Sequence, residues 1–428
     1  FVFDPKLFLY LSENTDFNFG INSMIENRLG GDIEYVKDKG NEEHSYFERN
    51  KTQRHSSQLT FEHRFDKQNR LNVKNSITYF SRKIEIPDFK FDGDQLSSFS
   101  EVSYIHTKEK TEWVAGANVW TDKFTEEKLT DFPLRDYNMT TVGVFVQNNT
   151  KITDWMNLES GLRTDYINDY GFAVLPRISS HFKITEKFSS RVGGGFGYKA
   201  PTIFSEDSER IQFQNVLPID DNRNKLERSY GANVDFTYKT GLFGDQVFLS
   251  INQLFFYTYL KNPLELQAAE NNRWQFNNIN GHVDSKGAET NMKIKYKDFG
   301  LFLGYTYTDA DVKEDGRSYQ KTLTPKHKIN SVLMYEVEDK WKIGLEAYYT
   351  GKQNLNDGKT GKDYLVFGLM MQRIWEKFSI YANFENFTDR RQTRFDTIHT
   401  GSMTNPEFRD IYAPLDGFIL NTGIIIKL

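Results

Sequence analysis

The sequence predicts an all-β chain folded as a transmembrane antiparallel up-and-down β-barrel. Three observations carry this: period-two alternation, connections of alternating length, and tryptophans gathered at the short connections. Alternation is plainest in "ERSYGANVDFTYK", residues 227–239. There Tyr230, Ala232, Val234, Phe236 and Tyr238 are apolar or aromatic. Between them Ser229, Gly231, Asn233, Asp235, Thr237 and Lys239 are small, polar or charged. Successive strand side chains point to opposite faces, so one face is dry and the other wet. A soluble sandwich has the same period, and the other two observations decide what the dry face touches.

Short connections fall near 373–377, 337–341, 297–300, 240–246, 184–188, 152–155, 107–111, 66–70 and 12–16. Interleaved with them are 388–416, 352–362, 309–325, 261–282, 200–225, 124–138, 85–95 and 27–52, mostly long, with one brief member near 168–171. A membrane barrel makes this pattern, with tight periplasmic turns on one rim and long extracellular loops on the other. Sandwiches and propellers have no reason to segregate loop length in this way. Trp113, Trp155, Trp341 and Trp375, four of the six tryptophans, lie in or beside short turns. Indoles collect where hydrocarbon meets headgroups, which points to an interfacial belt.

The strands follow in order from the C-terminus. "GFILNTGIIIKL" (417–428) places Phe418, Leu420, Thr422, Ile424, Ile426 and Leu428 on one face. "KFSIYANFENF" (377–387) turns Phe378, Ile380, Ala382 and Phe384 outward, and Ser379, Tyr381, Asn383 and Glu385 inward. Earlier come "DYLVFGLMMQRI", "KWKIGLEAYY", "HKINSVLMYEV", "FGLFLGYTYT", "AETNMKIKYKD", "DQVFLSINQLFFY" and "KFSSRVGGGFGYK". Inward-facing Asp235, Lys239, Glu289, Lys293 and Lys295 are expected to line the lumen. The count reaches about 19 strands, beginning at "KLFLYL" (6–11). Single-chain bacterial barrels have even strand numbers, so the count implies that N-terminal strands are missing from this chain.

Composition excludes several classes. Mean hydropathy is -0.64, and the densest apolar patches (364–371 and 254–260) have strand length. A spanning helix needs a run of about 18–20 apolar residues, so a helical membrane protein is excluded. Cysteine is absent, which rules out disulfides and thiolate metal sites. With 54 basic and 59 acidic residues, no basic footprint marks nucleic acid as a partner. P-loop, G-x-S-x-G and H-E-x-x-H patterns are absent, and the eight histidines are dispersed. No enzyme, cofactor or resident metal site is expected. The opening "FVFDPKLFLYLSENTD" lacks a signal peptide's charged region and cleavage site.

The chain resembles the TonB-dependent outer-membrane receptors over essentially its whole length. The resemblance is carried by "LFLYLSENTDFNFGINSMIENRLGGD" (7–32), "GGGFGYKAPTIFSED" (193–207), "KLERSYGANVDFTYK", "LSINQLFFYTYLKNPL", "LTPKHKINSVLMYE", "ANFENFTDRRQTRFD" and "IYAPLDGFILNTGI". Its Lys- and Asn-rich style is similar to Bacteroidetes members. The resemblance implies an outer-membrane barrel of about 22 strands, with residues 1–428 forming its barrel domain. It also implies an N-terminal plug and energy-coupling box, neither visible here. The final residue, Leu428, stands where the family usually has an aromatic.

What the resemblance implies for function is active import of a scarce nutrient, most often a ferric siderophore. Haem, cobalamin or another metal complex is the alternative within the family, and a passive porin the alternative outside it. Energy would come from the TonB-ExbB-ExbD complex through the plug region. The other partners would be a small-molecule metal chelate and outer-membrane lipid, with room for a surface lipoprotein.

Ligand contacts are expected from the long loops. The 200–225 loop offers Arg210, Gln212, Asp220, Asp221 and Arg223, and the neighbouring long loop offers Trp274. The last loop offers Arg390, Arg391, Arg394, Asp396, His399, Met403 and Arg409. Guanidinium groups pair with catecholate, carboxylate or propionate oxygens, and equally with neighbouring acids or lipopolysaccharide. His399 with Met403 would suit haem or a soft metal. "DADVKEDG" (309–316) gathers Asp309, Asp311, Glu314 and Asp315, but its spacing departs from a calcium loop and reads as a charged turn.

Overall fold

Every long strand pairs antiparallel with the next, and the resulting sheet is the barrel wall. The computed structural model describes residues 1–427; Leu428, expected on one face with Phe418 and Ile426, lies outside them. Nineteen staves run from Lys6–Ser12 to Ile419–Ile426. Two further short segments complete the 21-stranded sheet: Val2–Phe3 continues the first stave, and Arg317–Gln320 folds back on its predecessor. Among the described residues, the first and last staves each pair on one side only.

Register fixes the two faces. Asp235 lies opposite Leu254, which lies opposite Glu289; Lys239 lies opposite Ser250, which lies opposite Lys293. One face of this region therefore carries Asp235, Lys239, Glu289, Lys293 and Lys295 together. Its polar groups are bonded locally: Asn252 Nδ2 donates to Thr237 Oγ1 at 2.8 Å, and Asn291 Nδ2 to Glu289 Oε1 at 2.6 Å. The opposite face carries Val234, Phe236 and Tyr238 against Phe255, Gln253 and Ile251. Farther round the wall, Leu96, Val102, Val144, Leu162 and Val174 share this apolar face and stand exposed. Trp113, Trp155, Trp341 and Trp375 are exposed at the short-turn ends. Arg373 spans two of them, its guanidinium 4.8 Å from the Trp341 ring and 5.5 Å from that of Trp375.

Two loops expected from the sequence are strand instead. Strands Asn69–Ile86 and Phe89–Lys108 meet in a tight turn, with Asp88 at φ 63°, where a loop over 85–95 was expected. Likewise Phe299–Glu314 continues through "DADVKE" and turns at Asp315 and Gly316, both at positive φ. Paired positive φ values make the tight turn that matches strand twist, and Gly316 accepts it freely. Cross-strand ion pairs hold these polar extensions. Lys83 meets Asp92 at 2.6 Å, and Asp309 meets Lys326 at 3.0 Å and Lys286 at 3.5 Å. The 27–52 loop also contracts, since strands Thr15–Gly31 and Phe47–Arg64 take up its ends. Strand Phe89–Lys108 has 20 residues, whereas about 9–11 cross a bilayer. The wall therefore rises well above the membrane on the long-loop side and forms a vestibule.

Placing a charge on each face tests the assignment. Val144→Arg should destabilise the folded barrel in liposomes by about 2–4 kcal/mol, because the guanidinium enters hydrocarbon. Asn233→Arg on the polar face should have little effect. Equal costs in denaturant titrations would contradict the two-faced wall.

Candidate ligand cavity in the extracellular vestibule

The 199–227 connection is long enough to fold inward, and its sequence supplies an aromatic anchor. Ser205 caps the short helix Glu206–Arg210 by accepting from the Ser208 amide. The chain then reverses through Gln212 and Phe213, at φ 48° and 62°. Left-handed non-glycine residues cost of order 1–3 kcal/mol each and persist where packing over-determines them. The packing here is extensive. Phe213 is fully buried and stacks on Phe91 at 4.6 Å, while Phe204 meets Phe124 edge-on at 5.1 Å. Ile84, Ile203, Val216 and Phe276 complete this cluster.

Polar contacts fix the same loop. Arg135 and Glu126 form a buried ion pair, and Arg135 Nη1 donates to the Phe213 carbonyl at 2.6 Å. Arg82 Nη1 reaches Glu209 Oε1 at 2.5 Å. Gln212 Nε2 donates to Glu48 Oε2 at 3.2 Å, joining residues 164 positions apart.

The 385–419 connection is organised around Gln392, which is almost wholly buried. Its Oε1 accepts from the Tyr412 and Ala413 amides at 2.8 and 3.1 Å, and its Nε2 donates to the Asp410 carbonyl at 2.9 Å. Asp410 in turn accepts from the Asn356 amide at 2.6 Å, tying in the 350–364 loop. Arg409 bridges Asp357 at 2.9 Å and Asp396 at 3.2 Å. Burial pushes the Tyr412 hydroxyl up to about 12, and its 2.6 Å bond to Asp396 adds to the effect, so it stays a donor.

Between these loops lies a cavity of about 1410 Å³. Of the residues expected to bind ligand, Arg210, Gln212, His399, Met403 and Arg409 line it. The others lie elsewhere, for identifiable reasons. Asp220 is a turn-former, accepting from the Asn222 amide at 3.1 Å, and Asp221 accepts from the Asn222 side chain at 3.0 Å. Arg223 sits on this exposed turn. Trp274 packs against the Phe213 cluster, and its backbone pairs with Asn215 and Leu217. Arg391 and Arg394 are spent on Asp389, Arg390 covers Phe395 at 4.1 Å, and Asp396 belongs to the Arg409 bridge. Asp235, Lys239, Glu289, Lys293 and Lys295 are on the wall, away from the cavity lining.

The 31–47 connection contributes lining that sequence reasoning missed: Asp32, Tyr46 and, from the strand beyond, Glu48. Tyr46 packs against Phe408 of the last loop at 5.7 Å. Only "YF" at 46–47, an aromatic pair at the end of a polar loop, hints at this in the sequence.

Two outcomes follow. Phe213→Ala removes a fully buried ring, a change worth about 3–5 kcal/mol in a packed site. Hydrogen exchange should quicken across 199–227 and leave the barrel strands unchanged; global loss of protection would contradict local docking. The second concerns Asp32, whose carboxylate caps helix Ile33–Val36 and accepts from His44 Nδ1 at 2.7 Å. That bond lowers the Asp32 pKa, helped by the Glu34 amide, and raises that of His44. A raised histidine stabilises fully below its unfolded value of 6.5 and loses this as pH climbs through its folded value. A lowered aspartate stabilises above its unfolded value of 3.8 and loses this as pH falls through its folded value. Protection of the Glu34 amide should therefore be greatest between these limits, and His44→Ala should abolish the alkaline limb.

The architecture has known counterparts. A family profile described as "TonB dependent receptor-like, beta-barrel" matches residues 3–387. A search of curated protein sequences returns no significant match. Among solved structures, a variant of the ferric enterobactin receptor PfeA from Pseudomonas aeruginosa, in complex with enterobactin, superimposes with a TM-score of 0.72 at 15% identity. That match covers 99% of this chain and 69% of that one. The ferric-catecholate import receptor Fiu from E. coli K12 gives 0.69 at 11% identity, covering 99% and 74%. The copper transporter OprC gives 0.73 at 12%, covering 99% and 71%. Alternating strands, a two-faced wall, a vestibule of folded loops and this profile agree: the chain belongs to the TonB-dependent receptor β-barrel family of outer-membrane transport proteins.

Proposed function

We propose that this barrel imports a ferric siderophore, captured first in the vestibule cavity. The observation that carries the reading is the cavity itself. About 1410 Å³ of space is bounded mainly by three long loops, each pinned by internal hydrogen bonds, which supports a preformed site above the membrane. Pockets of ~300–1,000 Å³ hold drug-sized ligands, so a bulky metal chelate matches this scale. The neighbours include receptors for ferric enterobactin and ferric catecholates, which makes iron chelates the first class to test. Energy would come from TonB-ExbB-ExbD acting on the plug that the family resemblance implies. Arg210, Gln212, His399 and Met403 are the proposed contacts.

A second reading has its own support. His399 and Met403 both line the cavity, and these residue types suit haem or a softer metal's complex. The relevant neighbour here is the copper transporter.

Uptake of radiolabelled iron chelate into cells carrying the receptor distinguishes these readings from a passive pore. Accumulation should require both the receptor and TonB. Passage that persists without TonB would contradict the proposal, and TonB-dependent accumulation of copper or haem in place of iron would favour the second reading.

A further inference from the structure

The short-turn rim of the wall carries a cation on its lipid-facing side. Register places Arg373 there, opposite Trp341 on one neighbouring strand and Ile380 on the other. Phe299, Tyr335, Ile343 and Phe378 flank it on the same face. Two indoles frame the guanidinium, Trp341 at 4.8 Å and Trp375 at 5.5 Å. Trp375 is itself fixed: its ring stacks on Phe378 at 4.7 Å, and its amide donates to the Phe378 carbonyl at 2.8 Å.

The donors of this side chain are largely unspent. Arg373 Nη1 donates to the Lys340 carbonyl at 3.3 Å; among the described residues it makes no other hydrogen bond and no ion pair. Glu336, two strands away, faces the lumen and is held by Lys342 at 2.9 Å. Asp339 and Glu376, in the adjoining turns, form no bridge to it. Lumen-facing arginines behave differently: Arg64 pairs with Asp16 and Glu62, and Arg163 with Asp165.

A charge on the lipid face is costly at the bilayer centre and tolerated near the interface, where polar groups reach it. Tryptophans mark that depth, and the groups bordering the protein there are lipid headgroups. The anionic group of a headgroup is its phosphate, which the planar guanidinium fork matches with two parallel hydrogen bonds. Indoles on both sides restrict the fork before binding, so less freedom is lost on capture.

We propose that Arg373, framed by Trp341 and Trp375, binds the phosphate of a glycerophospholipid in the periplasmic leaflet. The acyl chains run along Leu345, Met371, Ile380 and Ile424, which stand exposed on the same face. The site lies on the opposite rim from the vestibule cavity and is independent of what that cavity binds.

The test titrates the complete receptor, purified in detergent, with phosphatidylglycerol and counts bound lipids by native mass spectrometry. Arg373→Gln should weaken the tightest-held lipid about fivefold, the scale of one basic side chain at a membrane surface. Arg373→Lys should fall between the two, because it keeps the charge and loses the fork. Diacylglycerol, which lacks the phosphate, should bind the parent and Arg373→Gln alike. Lys67→Gln, an exposed change in another short turn, should bind phosphatidylglycerol as the parent does. Equal phosphatidylglycerol binding by the parent and Arg373→Gln, or an equal loss in Lys67→Gln, would overturn the proposal. Displacement of the lipid by inorganic phosphate would overturn the lipid assignment and make this a site for free anions.

Discussion

In hydrocarbon no water is available to satisfy a backbone N–H or C=O, so each must find its partner within the protein. Most of this chain answers to that constraint. Nineteen staves pair each with the next, over registers that run up to 18 consecutive residues between Asn69–Ile86 and Phe89–Lys108. Once the ladder is fixed, side chains sort by parity alone. Phe236 and Tyr238 fall on the apolar face because Asp235 and Lys239 fall on the other, and a slip of one residue would exchange them.

A wall held together by its own backbone leaves the long connections free of any spanning role. They are still not loose. Three of them are pinned by a polar side chain that bonds their backbone: Arg135 donates to the Phe213 carbonyl in 199–227, Gln392 holds three backbone groups in 385–419, and Asp32 accepts from the Glu34 amide in 31–47. Such groups are buried at a cost that their bonds offset, and the result is a fixed geometry at the mouth. The cavity is what these three closures leave between them.

The barrel was legible in the sequence because its governing variables are local. Strand parity needs neighbours two residues apart, and the rim assignment needs only connection lengths, which is why the 19 staves were recovered. Polar residues hide strand where the wall runs on above the membrane. "IEIPDFKFD" and "DADVKEDG" are strands above the membrane, held by pairs such as Lys83–Asp92, and a polar outer face there looks like a loop to a reader of periodicity. The cavity was half legible. Arg210, Gln212, His399, Met403 and Arg409 lie on loops long enough to fold inward, whereas Tyr46 and Glu48 reach it through contacts such as Glu48–Gln212 that span 164 positions. Arg394 and Asp396 were misplaced because composition cannot show that Asp389 and Arg409 already hold them.

The two faces of the wall are the central claim, and the absence of native cysteine makes them directly measurable. Single cysteines placed in turn from Val234 to Lys239 would each carry a fluorophore in the folded, membrane-inserted protein. Labels at 234, 236 and 238 should be quenched by a lipid-embedded quencher, and those at 235, 237 and 239 by a water-soluble one. An alternation of this kind would establish that the dry face meets lipid. Uniform aqueous quenching at all six positions, or alternation of the opposite parity, would contradict it.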